Sequence, residues 1–157
     1  MNNSIATANP NKIKSTESIK LLVFEIGELT LALPILQVQK VIRQTEVHGS
    51  GLSYVNLAHL EAEEVTVVDL HQKLFGDRLD LQESTGFFII TKQAGRESLG
   101  ITVAKSPSLI EVSLDRIRLL PDTYRHADTL EIASHVTVIT QSETSTTIFI
   151  LDLERLV

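Results

Sequence analysis

Cysteine is absent from the 157 residues. That excludes disulfides, thiolate metal sites and cysteine nucleophiles, and it fits a reducing cytoplasm, the expected location. Tryptophan is absent too, and aromatic residues make up only 4%. The core must therefore rest on Val, Ile and Leu, of which the β-branched members favour strands. No apolar run approaches the roughly 20 residues of a membrane-spanning helix, and Met1 to Ser18 has no apolar signal-peptide core. Direct membrane insertion is not expected. A basic cluster of the kind that reads nucleic acid is also missing. The net charge of −6 and pI near 5.3 oppose nonspecific binding to nucleic acid or anionic lipid.

What is present is a globular composition, 43% hydrophobic, in a chain of single-domain length. Residues 1–18 are rich in Asn, Ser, Thr and Lys and are predicted to form a flexible tail before a domain over 19–157. Most apolar segments read as strands. Leu21 to Ile26 and Leu29 to Leu33, joined by Gly27-Glu28, predict a hairpin. Pro34 can open a helix, and Ile35, Val38, Val41 and Ile42 recur at helical spacing, which predicts a short amphipathic helix from Pro34 to about Ile42. Tyr54 to Leu57 reads as a brief strand, Ala58 to Glu63 as a polar connection and Glu64 to Val68 as a strand. Asp69 is placed to N-cap a helical turn that Gly76 ends.

The second half follows the same logic after a polar linker at 77–85. Strands are predicted at Phe87 to Thr91, Glu97 to Val103, Leu109 to Val112, Leu130 to Thr140 and Thr146 to Leu151, with a turn at Gln93 to Arg96. Val65-Thr66-Val67-Val68-Asp69-Leu70 echoes Ile148-Phe149-Ile150-Leu151-Asp152-Leu153, and an opening hairpin occurs twice. Two similar sets of short strands predict an all-β fold of two packed barrels, about 19–80 and 86–157, with strands free to cross between them. Asp69 and Asp152 are expected to be equivalent helix caps.

Several pieces, in this order and spacing, carry a family resemblance. They are Leu21 to Gly27, Ala32-Leu33-Pro34-Ile35 with Val38 to Arg43, Val55-Asn56-Leu57, Val65 to Leu70 with Leu74-Phe75-Gly76, Leu99 to Val103 and Ile150 to Leu156. Together they resemble the CheW-like family over about Leu21 to Val157. The resemblance implies two five-stranded SH3-like barrels with short helices. It also implies a non-enzymatic adaptor without cofactor. Its expected partners are the regulatory domain of a CheA-like histidine kinase and the cytoplasmic tip of chemoreceptors. The family's central Asn-Leu-Arg-Gly reads Asn56-Leu57-Ala58-His59 here, followed by the insertion Leu60 to Glu63. The usually acidic helix position is Lys40, and a usual glycine is Ala133. By resemblance, the partner surface is expected at Val38, Lys40, Val41, Arg43, Asn56, Ala58 and His59, altered in charge. The alternative is an orphan domain with another protein partner or a small molecule in the cleft between barrels.

No catalytic or metal constellation is expected. His59, Asp69 and His71 with Glu61, Glu63 and Glu64 match no ligand spacing. Ser50 and Ser53 make no Gly-x-Ser-x-Gly elbow, and Gly49 and Gly51 make no phosphate loop. Tyr124-Arg125-His126 reads as an exposed turn, and His135 as a hydrogen-bonded strand residue.

Overall fold

The computed structural model describes residues 17–49, 54–76, 86–92, 97–125 and 131–156. The expected tail before Glu17, the linker at 77–85, the turn at 93–96, Ser50, Ser53 and His126 lie outside them. Ser18, assigned to the tail by sequence, instead opens the first strand.

The first half contains β1 (Ser18–Ile26), β2 (Leu29–Pro34), β3 (Val38–Arg43), β4 (Val47–Gly49), β5 (Val55–Leu60), β6 (Glu63–Val68) and helix α1 (Leu70–Phe75). The second contains β7 (Phe87–Thr91), β8 (Leu99–Val103), β9 (Ser108–Ser113), β10 (Arg118–Leu119), helix α2 (Asp122–Arg125), β11 (Ala133–Gln141) and β12 (Thr144–Leu151). Turns of 3-10 helix lie at Ile35–Gln37, Leu114–Arg116 and Leu153–Arg155.

These strands form two six-stranded sheets, each with five longer strands and one short strand, β4 or β10. Sheet I has the order β3-β7-β8-β6-β5-β4, and sheet II the order β9-β1-β2-β12-β11-β10. Place for place, β1 to β6 correspond to β7 to β12. The sheets do not divide at residues 80–86. Each half donates its opening hairpin to the sheet that the other half completes. The junction is a parallel pair in both: β6 with β8, and β12 with β2.

The echo in the sequence has a physical counterpart. β6 and β12 sit at the same place in their sheets, and each ends in an Asp whose backbone N–H donates to the strand-entry residue, Asp69 to Tyr54 O and Asp152 to Ile132 O, both at 2.8 Å. Asp69 Oδ1 accepts from Gln72 N at 3.1 Å, and Asp152 Oδ1 accepts from Glu154 N at 3.1 Å. Both are N-caps. Gly76, at φ 84°, supplies the left-handed residue that closes α1. Asp69→Ala is expected to lower stability by about 0.5–2 kcal/mol in urea unfolding, while Asp69→Ser keeps most of it. Equal losses from both changes would show that something other than the cap is at stake.

Strands in the middle of the molecule are buried on both faces, which is why their sequences are continuous apolar runs rather than alternating ones. In β12, Ile148 and Ile150 face a cluster inside sheet II with Leu21, Ala32 and Val112. Leu151 faces a central cluster between the sheets with Phe24, Leu33, Ile89 and Ile101. In β7, Phe88 and Ile90 join Ala58, Leu60, Val65 and Val67 inside sheet I. Two barrel interiors thus flank one shared core.

Two expectations from sequence are corrected. Pro34 to Ile42 is not a helix. A single 3-10 turn at Ile35–Gln37 leads into strand β3, paired antiparallel with β7. The register shifts between Val38 and Lys40. This bulge offsets the two-residue alternation by one, so the apolar residues imitate helical spacing. Ala58 to Glu63 is not a polar connection either. β5 continues to Leu60, and the chain turns tightly at Glu61-Ala62, with Glu61 at φ 52°. Asn56, Ala58 and Leu60 fall on the inward face, and the small Ala58 concealed that alternation.

Candidate protein-binding surface

The expected partner residues do not form one patch. β3 is an edge strand of sheet I, so one side of its backbone has no paired strand among the described residues. Val38 belongs to the central core. Val41 is 37% exposed, and Arg43 is exposed with its guanidinium 5.5 Å from the Phe87 ring centroid, a cation–π contact. Val41 and Arg43 share one face of β3, two residues apart.

Lys40 lies on the other face. Its Nζ is 3.9 Å from Glu61 Oε1, at the tip of the β5–β6 hairpin. The hairpin tip therefore reaches across the barrel mouth to β3. Gln39, Lys40, Glu61, Glu63 and the apolar Val65 and Ile90 line a crevice of about 360 Å³ there. The ion pair is solvent-exposed, so it contributes at most about 1 kcal/mol. Its geometric meaning is larger. Glu61, at the hairpin tip, brings a carboxylate to the lysine.

Ala58 is fully buried, 0% exposed, on the inward face of that hairpin. It presents nothing to a partner, and its place in the expected surface is withdrawn. Asn56 is half-buried on the same inward face. His59 is exposed on the outward face of β5, opposite Glu64. The structure thus groups Val41 with Arg43, and Lys40 with the hairpin tip, and leaves Asn56 and His59 on opposite faces of β5.

One residue escaped the sequence reading. Leu36, in the 3-10 turn that enters β3, is 80% exposed. In the helical reading it fell off the apolar face marked by Ile35, Val38 and Val41. That mismatch was the available signal. Leu36 in the turn and Val41 and Arg43 on β3 are exposed in succession along the chain.

Among the described residues, no group of His, Asp and Glu could hold a metal ion, and no helix is long and apolar enough to cross a membrane. His135 Nδ1 lies 2.7 Å from Ser134 Oγ, a satisfied strand histidine.

Exchanged hairpins, two barrel interiors around one shared core and an open strand edge with apolar side chains define the class: an all-β scaffold with surfaces suited to protein contacts. The chain belongs to the CheW-like domain family, which matches residues 20–157. Its fold is similar to the crystal structure of the scaffolding protein TtCheW from Thermoanaerobacter tengcongensis. The two are 16% identical, with a TM-score of 0.72, over 87% of this chain and 86% of that one. A search of curated proteins found no match.

Proposed function

We propose that the chain is a non-enzymatic chemotaxis-type adaptor that couples chemoreceptor-like sensors to a histidine kinase in the cytoplasm, with the β3 edge as its main partner surface. Family membership supports the class of partner. The observation that carries the surface is the exposed Leu36 in the turn that enters β3 together with the exposed Val41 and Arg43 on β3, an edge strand among the described residues. Exposed apolar side chains on a sheet's edge strand suit recognition by a like-folded domain or a helical receptor tip. Lys40 lies next to this edge, with Glu61 Oε1 3.9 Å from its Nζ. An acidic partner residue facing Lys40 would compete with that carboxylate, which is how the altered charge would select partners.

Leu36→Glu with Val41→Glu should weaken binding to the kinase regulatory domain or the receptor tip by about tenfold or more, because each charge enters an apolar contact. Both residues are exposed, so circular dichroism should show the fold unchanged. Isothermal titration against the two purified partners is the measurement. Unchanged affinity for both would remove the β3 edge from the adaptor reading.

A further inference from the structure

The β11–β12 hairpin is longer than the barrel needs. Thr137 pairs with Ile148, and Ile148 pairs with Thr30 of β2. The matching pair in sheet I is Ala58 with Val65. Only residues 59–64 lie beyond that pair, whereas residues 138–147 lie beyond Thr137 and Ile148. The same architecture therefore closes on a shorter hairpin elsewhere in this chain, and the extra length is not a requirement of the fold.

The extension is a two-stranded ribbon whose β11 residues Val138, Ile139 and Thr140 line a crevice with Glu111 to Ser113 and Arg116, while its β12 edge meets no strand among the described residues. β2 begins at Leu29, and β10 pairs only with His135 and Val136 of β11. Among the described residues, no strand pairs with Thr144–Thr147 on the side away from β11. All four side chains there are exposed. Thr140 to Thr147 holds one charged residue, Glu143, and no Lys or Pro. Natural edges are usually blunted by lysine, proline, a bulge or shortness. Threonine also favours strand structure. The ribbon has the composition of an edge left open for pairing.

Charge selects the occupant. Glu28 lies just before Leu29 of β2, in whose line an added strand would run, and Glu143 lies at the tip. Both are exposed. A second copy pairing antiparallel through the same edge would bring its own Glu143 towards Glu28, an unfavourable like-charge approach. A segment with cationic ends meets a carboxylate at each. We propose that Thr144–Thr147 accepts an extended, lysine- or arginine-bearing segment of a partner protein as an added strand. This site is on sheet II and is independent of the β3 edge.

The test uses the full chain, labelled with ¹⁵N, and two synthetic alternating Val/Thr peptides of about seven residues, a usual strand length. One has Lys at both ends and the other Glu. The Lys peptide should shift amide resonances within Val138 to Thr147 and slow hydrogen exchange at Thr144 to Thr147. Deleting Thr140, Gln141, Thr144 and Ser145 shortens the ribbon to the length of its sheet I counterpart and should abolish the response. Thr144→Lys with Thr146→Lys keeps the length and should weaken binding by about tenfold or more. No response to either peptide, equal responses to both, or shifts that map to β3 would overturn the proposal. So would a concentration-dependent dimer in sedimentation that is lost on shortening, since the edge would then belong to a second copy.

Discussion

A fragment of residues 19–80 is expected to be unfolded, whereas a fragment of residues 38–103 should retain strand structure. The first contains the whole opening half of the sequence but not a complete sheet. It lacks β7 and β8, so β3 loses its antiparallel neighbour and β6 its parallel one. Its own β1–β2 hairpin has lost β9 and β12. The central core is severed as well, because Ile89, Ile101, Leu151 and Leu153 are left behind. The second fragment contains β3 to β8, which are all the strands of sheet I in one continuous stretch. It keeps the interior of Ala58, Leu60, Val65, Val67, Phe88 and Ile90. It exposes its share of the shared core, so it should be marginal and prone to associate. Far-ultraviolet circular dichroism and amide dispersion in ¹⁵N spectra distinguish the two. A folded 19–80 with an unfolded 38–103 would contradict the exchanged pairing.

Ala58→Arg should destabilise the protein by about 3 kcal/mol or more, enough to threaten folding. The Ala58 side chain is surrounded by Leu60, Val65, Val67, Phe88 and Ile90. An arginine there must either bury an unpaired guanidinium or force the β5–β6 hairpin off the barrel. Ala58→Val tests volume alone and should cost less, in the range of about 1–3 kcal/mol for overpacking. An arginine at position 58 therefore cannot reach the surface without disturbing the packing around it. Lys40→Glu can be made without that damage, because Lys40 is partly exposed and its partner Glu61 lies at the barrel mouth. Urea unfolding of the three variants measures the order. An Ala58→Arg protein as stable as the parent would mean that the hairpin opens freely and that Ala58 is reachable by partners after all.

By itself, the sequence determined the all-β class, the duplicated plan, the equivalence of Asp69 and Asp152, and the family. Each of these is encoded locally: β-branched runs, a strand followed by Asp-Leu, a glycine at the close of α1. The tertiary structure alone decided which strands pair, because pairing joins distant segments and a run that is apolar on both faces names no neighbour. The exchange of β1–β2 and β7–β8 between sheets left no mark in either hairpin's own pattern. β3 imitated a helix because its bulge shifted the alternation after Val38. Ala58 resembled a loop residue because a small side chain becomes core only when Phe88 and Val67, from other strands, close over it. The candidate surface was legible at Val41 and Arg43, whose exposure follows from alternation on an edge strand. At Leu36 the signal was its mismatch with the apolar helical face, and the reach of Glu61 to Lys40 was not legible, since it depends on how the sheet brings its opposite ends together.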